Sequence, residues 1–123
     1  MKNADLGKMS VPQLVEWFTA LCVGQFQAEL YSEIAKQNRL IHQSVAVADE
    51  LKSRAGDQRS ALLPLLTHSN PQVRMMAAQF MLAVAPAAAR QALQDLSDRN
   101  IYPQAAYARG TLMALDKGER KPT

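Results

Sequence analysis

The sequence predicts an all-α fold of about six helices, paired as hairpins that stack in a short superhelix. Three observations carry that prediction. Residues 70–86 begin with Asn70 as a helix cap and Pro71 in the first helical position, continue with apolar residues at helical spacing, and stop at Pro86. Apolar residues recur three and four apart through most of the remaining chain. A weak internal repeat aligns Leu63 and Leu66 with Leu93 and Leu96, and Pro71-Gln72 with Pro103-Gln104. Helical hairpins of about that period belong to the solenoid class.

Taken in order, residues 1–9 are polar and irregular and read as a flexible arm. Ser10 is a good N-cap, with Pro12 in the first turn and Gln13 at the capping-box position. Val11, Leu14, Phe18, Leu21, Cys22, Phe26 and Leu30 then form one apolar stripe, widened by Val15 and Trp17. Ile34, Ile41, Val45, Ala48, Leu51 and Ala55 form a second, ended by Gly56. No strong breaker separates the two runs. A single helix of that length would expose its stripe, so an antiparallel pair bent near Glu29–Lys36 is expected.

Asp57 reads as the cap of a third helix carrying Leu62, Leu63, Leu65 and Leu66, kinked or shortened by Pro64. Asn70–Val84 is expected to be the most buried helix, with Val73, Met76, Ala77, Phe80, Met81 and Val84 inward. Pro86 opens a fifth helix, Ala87–Leu96, with Leu93 and Leu96 inward. After a loop at Asp98–Tyr102, Pro103 opens a sixth that ends at Gly118, with Tyr107, Leu112, Met113 and Leu115 as its apolar positions. Gly110 inside that helix costs about 1 kcal/mol against alanine, and close helix contact is the expected reason for it. Residues 10–118 are thus read as one domain and 119–123 as a tail.

Pro71-Gln72-Val73-Arg74 followed by Ala77-Ala78 is similar to the second helix of HEAT-type repeats. More broadly, Met9–Thr123 resembles a family of short bacterial proteins known as a domain of unknown function with a HEAT-like α-α superhelical fold. The resemblance is carried by Gly56-Asp57, Ala61–Leu66, His68, Asn70–Arg74, Ala85-Pro86, Ala114-Leu115-Asp116 and Lys121-Pro122-Thr123. It implies a fold. It brings no activity and no catalytic residues to carry across.

The chemistry of the chain is sparse. At 48% hydrophobic and 20% charged, its 123 residues are globular rather than disordered. The net charge of +3 is too small and too dispersed to mark a nucleic-acid binder. One cysteine excludes an intramolecular disulfide and suits a reducing cytoplasm. Met1–Lys8 carries no signal-like apolar run, and Met75–Ala89 is too short to span a bilayer, so no membrane segment is expected. Cys22, His42 and His68 lack ligand spacing, so no metal is expected, and Cys22 reads as a small core residue. His68 reads as a loop polar group. No nucleophile has a base beside it, and the glycines are isolated, so neither a catalytic residue nor a cofactor site is expected. Glu50 with Arg54 and Asp95 with Arg99 have the spacing of ordinary surface pairs.

Arginines are the best candidates for specific contact. Arg74 and Arg109 lie on the second helices of the two hairpins, and Arg90 and Arg39 can extend that surface. Arg74 has two readings, a structural reach to Asp95 or Asp98 and a bidentate contact to an acidic partner. Trp17, Phe18 and Tyr31 are candidates for self-association, although Trp17 and Phe18 sit about 100° apart and cannot be equally central. Either a homodimer forms through the Ser10–Ala55 pair, or these aromatics fold back and the chain is monomeric. The leading expectation is a non-enzymatic protein-interaction module with an unidentified protein partner. The alternative is a nucleic-acid-binding helical-repeat protein, and an enzyme built on one exposed Asp or Glu stands third.

Overall fold

Seven helical segments make up the computed structural model, which describes residues 5–123. Five are α-helices: α1 (Val11–Leu30), α2 (Ile34–Ser53), α3 (Pro71–Met81), α4 (Pro86–Asp98) and α5 (Gln104–Asp116). Two are 3₁₀ segments, Leu6–Lys8 and Gln58–Thr67. Among the described residues there is no strand, and the six expected helices are the five α-helices with Gln58–Thr67. Where one domain is expected over residues 10–118, backbone contacts group into two compact units that divide between Leu62 and Leu63.

In the first unit, Ser10 closes a capping box. Its hydroxyl accepts the Gln13 amide at 3.2 Å, and its own amide donates to Gln13 Oε1 at 2.8 Å. α1 and α2 form the expected antiparallel hairpin. The break between them carries no glycine: Ser32 adopts a left-handed φ of 56°, and the amides of Ser32 and Glu33 donate to the carbonyls of Glu29 and Ala28. That is a Schellman cap with serine where glycine is usual.

The buried residues of α1 are Leu14, Phe18, Leu21, Gln25 and Ala28, alternating steps of four and three, with Cys22 beside them in the core as expected. The expected stripe steps by four from Phe18 through Cys22 and Phe26 to Leu30. Each such step drifts about 40° around the helix, so Leu30 ends 64% exposed. On α2 the buried line is Ser44, Val47, Ala48 and Leu51, which leaves Ile34 and Val45 outside it. Gln25 crosses the hairpin, its Nε2 donating to Leu40 O and Ser44 Oγ, each at 3.1 Å. At the preceding residue, a Cβ on Gly24 would lie 3.0 Å from Leu40 Cδ1. The close helix approach expected at Gly110 therefore occurs at Gly24.

Of the arm expected over residues 1–9, residues 1–4 lie outside the described part. The rest is a pinned turn rather than a frayed one. The Arg54 guanidinium donates to Leu6 O at 3.0 Å and Met9 O at 2.8 Å, while its Nε binds Glu50 at 2.6 Å. The Glu50–Arg54 pair is thus more than a surface pair. Asp57 caps the Gln58–Thr67 segment as expected, its Oδ1 accepting the Arg59 amide at 3.3 Å. It takes a left-handed φ of 48° and grips Arg59, with Oδ1 2.9 Å from Nε and Oδ2 2.6 Å from the guanidinium NH2. In the 3₁₀ segment that follows, Leu62 and Leu65 are buried, whereas Leu63 is 49% exposed.

In the second unit, Asn70 Oδ1 accepts the amides of Gln72 at 2.9 Å and Val73 at 3.4 Å, with Pro71 in the first turn as expected. α3 ends at Met81, short of Val84, and it is buried on two sides because Met75 joins Val73, Met76, Ala77 and Met81. Phe80 and Val84 are half-buried. The Pro-Gln repeat has a physical counterpart. Gln104 Nε2 donates to Gln72 Oε1 at 3.0 Å, and Gln79 Nε2 donates to Thr111 Oγ1 at 2.8 Å. Both pairs have the same separation as Pro71-Gln72 and Pro103-Gln104, so α3 and α5 lie parallel and in register. α4 runs antiparallel to α5: Arg90 near its start reaches Asp116 at the end of α5. The leucine half of the repeat has no such counterpart, since Leu93 and Leu96 are buried and Leu63 is not.

α5 buries Gln104, Ala105, Ala108 and Thr111, while Tyr107 and Met113 stand 54% and 55% exposed. The small face lets the α5 axis come close to its neighbours, which turns the large apolar residues outward. Gly110 shares that outer side, with nothing within 4 Å of a built Cβ. With helical backbone and open space, Gly110→Ala raises the unfolding free energy by about 1 kcal/mol. Urea denaturation checks this, and a loss of stability there contradicts the open-face placement.

Candidate functional site

α5 ends in a Schellman motif. Gly118 has φ +72°, and the amides of Gly118 and Glu119 donate to the carbonyls of Leu115 and Ala114. That reversal carries residues 119–122, expected only as a tail, back along the unit, where Arg120 donates to Gln79 Oε1 at 2.7 Å. The result is a cleft of about 470 Å³. Leu82, Pro86, Leu115 and Pro122 give it apolar walls; Arg90, Arg120 and Lys121 give it a cationic rim. Two Arg90 nitrogens share Asp116 Oδ1, both at 3.1 Å, with side chains 43% and 69% exposed. An ion pair that wet is worth little, so Arg90 can exchange Asp116 for another carboxylate.

The other two candidate arginines behave differently. Arg109 is committed to the α4–α5 connection. It donates to Ser97 Oγ at 2.9 Å, to Ser97 O at 2.7 Å, to Asn100 Oδ1 and to Tyr102 OH, and its guanidinium lies 5.4 Å from the Tyr102 ring centre. Its position on a second helix suggests a contact surface, but the loop it faces consumes its donors. Arg74 does not reach Asp95 or Asp98. Asp95 pairs with Arg99 at 3.5 Å, Asp98 accepts from Gln94 at 2.8 Å, and Arg74 Nε is buried without a partner.

Trp17, Phe18 and Tyr31 do not form one patch. Phe18 is fully buried. Tyr31 is 76% exposed at the α1–α2 turn beside Leu30 and Ile34, roughly 20 Å along the helix from Trp17 at 1.5 Å per residue. Trp17 is half-buried and forms a ridge between two grooves. One, about 340 Å³, is lined by Met9, Gln13, Glu16 and Ala20. The other, about 570 Å³, is lined by Leu6, Arg39, His42, Gln43 and Ala46.

The perturbed titrations have structural causes. Burial pushes the Cys22 thiol far up, which removes its nucleophilic form at neutral pH. The hydrogen bond from Arg59 lowers the Asp57 carboxyl, and Asp57 in turn raises Arg59. His68 Nδ1 accepts the Asn70 amide at 3.0 Å, a loop contact that helps aim the Asn70 cap. Among the described residues no cluster of three or more His, Cys, Asp or Glu could hold a metal ion, and no helix is long and apolar enough to cross a membrane.

The family model of the Domain of unknown function (DUF2019) matches residues 12–116. The chain belongs to that family. DUF2019 thus spans both compact units, from the start of α1 to the end of α5. The DUF2019 chain is similar to a crystal structure of the protein RPA1889 from Rhodopseudomonas palustris CGA009, with a TM-score of 0.96 and 43% identity over 98% of this chain and 99% of that one. No curated protein matches it.

Proposed function

We propose that this DUF2019 chain is a non-enzymatic protein-interaction module, and that the cleft between Leu82 and Pro122 takes an acidic segment of a partner protein. The observation that carries the reading is the cleft's composition: apolar walls of leucine and proline under a rim of Arg90, Arg120 and Lys121. Apolar contact supplies affinity, and the rim selects negative charge and speeds encounter. The parallel, in-register pairing of α3 and α5, with α4 antiparallel, supports a HEAT-like arrangement of residues 63–123, and repeat modules of that kind serve as binding surfaces. The lone thiol suits a reducing cytoplasm.

Capture from a lysate of the source organism, at low and high salt, tests this with wild type and an Arg120→Glu, Lys121→Glu variant. Wild type should retain acidic proteins at low salt, and the variant should lose them. Retention of the same proteins by the variant overturns the cleft assignment. Nuclease-sensitive nucleic acid in place of protein favours the nucleic-acid alternative.

A further inference from the structure

We infer that the Trp17 face of the α1–α2 hairpin is self-complementary and seats a second copy of this chain. Trp17 is a half-exposed indole standing between two grooves, on a hairpin whose inner side already buries Leu14, Phe18, Leu21 and Leu51. Tryptophan is among the residues most enriched at the energetic centre of interfaces, because it buries a large rigid surface at little entropic cost. What identifies the occupant is the charge pattern around it. Glu16 lines the groove on one flank of the ridge, and Arg39 lines the groove on the other. Neither is ion-paired with another described residue.

Arg39 adjoins Leu40, which meets Gly24 and Gln25, so it lies further along the hairpin than Glu16. A two-fold axis through Trp17, perpendicular to the line from Glu16 to Arg39, exchanges the flanks. Each point on one side of Trp17 then meets the opposite side of the other copy, so Glu16 of each copy faces Arg39 of the other. Both pairs form at once, because an isologous contact is made twice. The same operation, with a small offset, lets each indole enter a groove of the other copy. A partner bearing a single sign of charge fits this face poorly, since it meets like charge on one flank. A second copy meets opposite charge on both. The exposed Leu30, Tyr31 and Ile34 at the hairpin turn lie outside the contact.

Light scattering and sedimentation on the full chain, across a micromolar concentration series, provide the test. Wild type runs as a dimer at the upper end. Glu16→Arg alone and Arg39→Glu alone each weaken dimerisation by roughly tenfold or more, because each reversal spoils two exposed pairs. The double variant Glu16→Arg, Arg39→Glu restores opposite signs across the axis and returns the dissociation constant close to wild type. Tyr31→Ser leaves it unchanged, and so does the Arg120→Glu, Lys121→Glu variant, which separates this surface from the cleft. Both reversals are on the protein surface, and circular dichroism melts show that each variant is folded. A monomer mass at every concentration overturns the inference. So does a double variant as weak as the singles, or a dimer that Trp17→Ala leaves intact.

Discussion

Phe18→Ala lowers the unfolding free energy by about 3–5 kcal/mol, while Trp17→Ala, one residue earlier, costs about 1 kcal/mol or less. The two aromatics are neighbours in sequence and opposite in role. Phe18 has no solvent exposure and sits on the line Leu14–Phe18–Leu21–Gln25 that α1 turns inward. Truncating it removes the transfer free energy of a ring and leaves a cavity that surrounding helices cannot close, because their backbones are fixed by packing elsewhere. Trp17 is rotated about 100° away, half-buried, with open grooves on both sides. Truncating it widens a groove that is already wet. Urea denaturation followed by circular dichroism, at protein concentrations low enough to exclude self-association, gives both numbers. Equal losses at the two positions contradict the placement of the α1 face.

How far the fold is legible in the sequence follows from which signals carry a unique physical meaning. Ser10, Asn70, Pro71 and Pro86 do: each satisfies or removes a particular backbone amide, and each sits where the sequence places it. The hairpin break does not, because its left-handed residue is Ser32 instead of glycine. The α4 terminus repeats the device with Asn100, whose φ is 53°. Apolar periodicity marks helices well and faces poorly. On α5 the inner face is Ala105, Ala108 and Thr111 with Gln104, a stripe too small and polar to stand out in the sequence, whereas the apolar positions Tyr107 and Met113 stand exposed. The candidate site is legible only in fragments. Arg90 is visible as a cation near the right hairpin, but Arg120 and Lys121 join it only because the Gly118 cap folds the tail back, a consequence of tertiary geometry. Arg109 looks available until Ser97, Asn100 and Tyr102 are seen around it.

Gln104→Ala costs about 2–3 kcal/mol, the sum of a lost buried hydrogen bond and a small cavity. Gln104 is 1% exposed, and its Nε2 is the donor that Gln72 Oε1 accepts, in a core that excludes water from both. Its own Oε1 is buried without a partner, so this amide already carries a desolvation cost. Replacing both glutamines by leucine should therefore recover most of the loss, because two apolar side chains of similar volume need no partners. In a double-mutant cycle the two positions couple by about 1–2 kcal/mol, whereas additive losses refute the pairing. Recovered stability need not restore a single structure. Along α5 the buried line is Ala105 and Ala108, too small to lock the helix against sliding. The polar contacts at Gln72–Gln104 and Gln79–Thr111 hold α3 and α5 at their common offset. A polar pair in an apolar core is tolerated where it selects one register among several that packing alone allows. The double leucine variant should accordingly be nearly as stable as wild type in urea, yet show faster native-state amide exchange along α5. Unchanged exchange there would mean that packing alone sets the register.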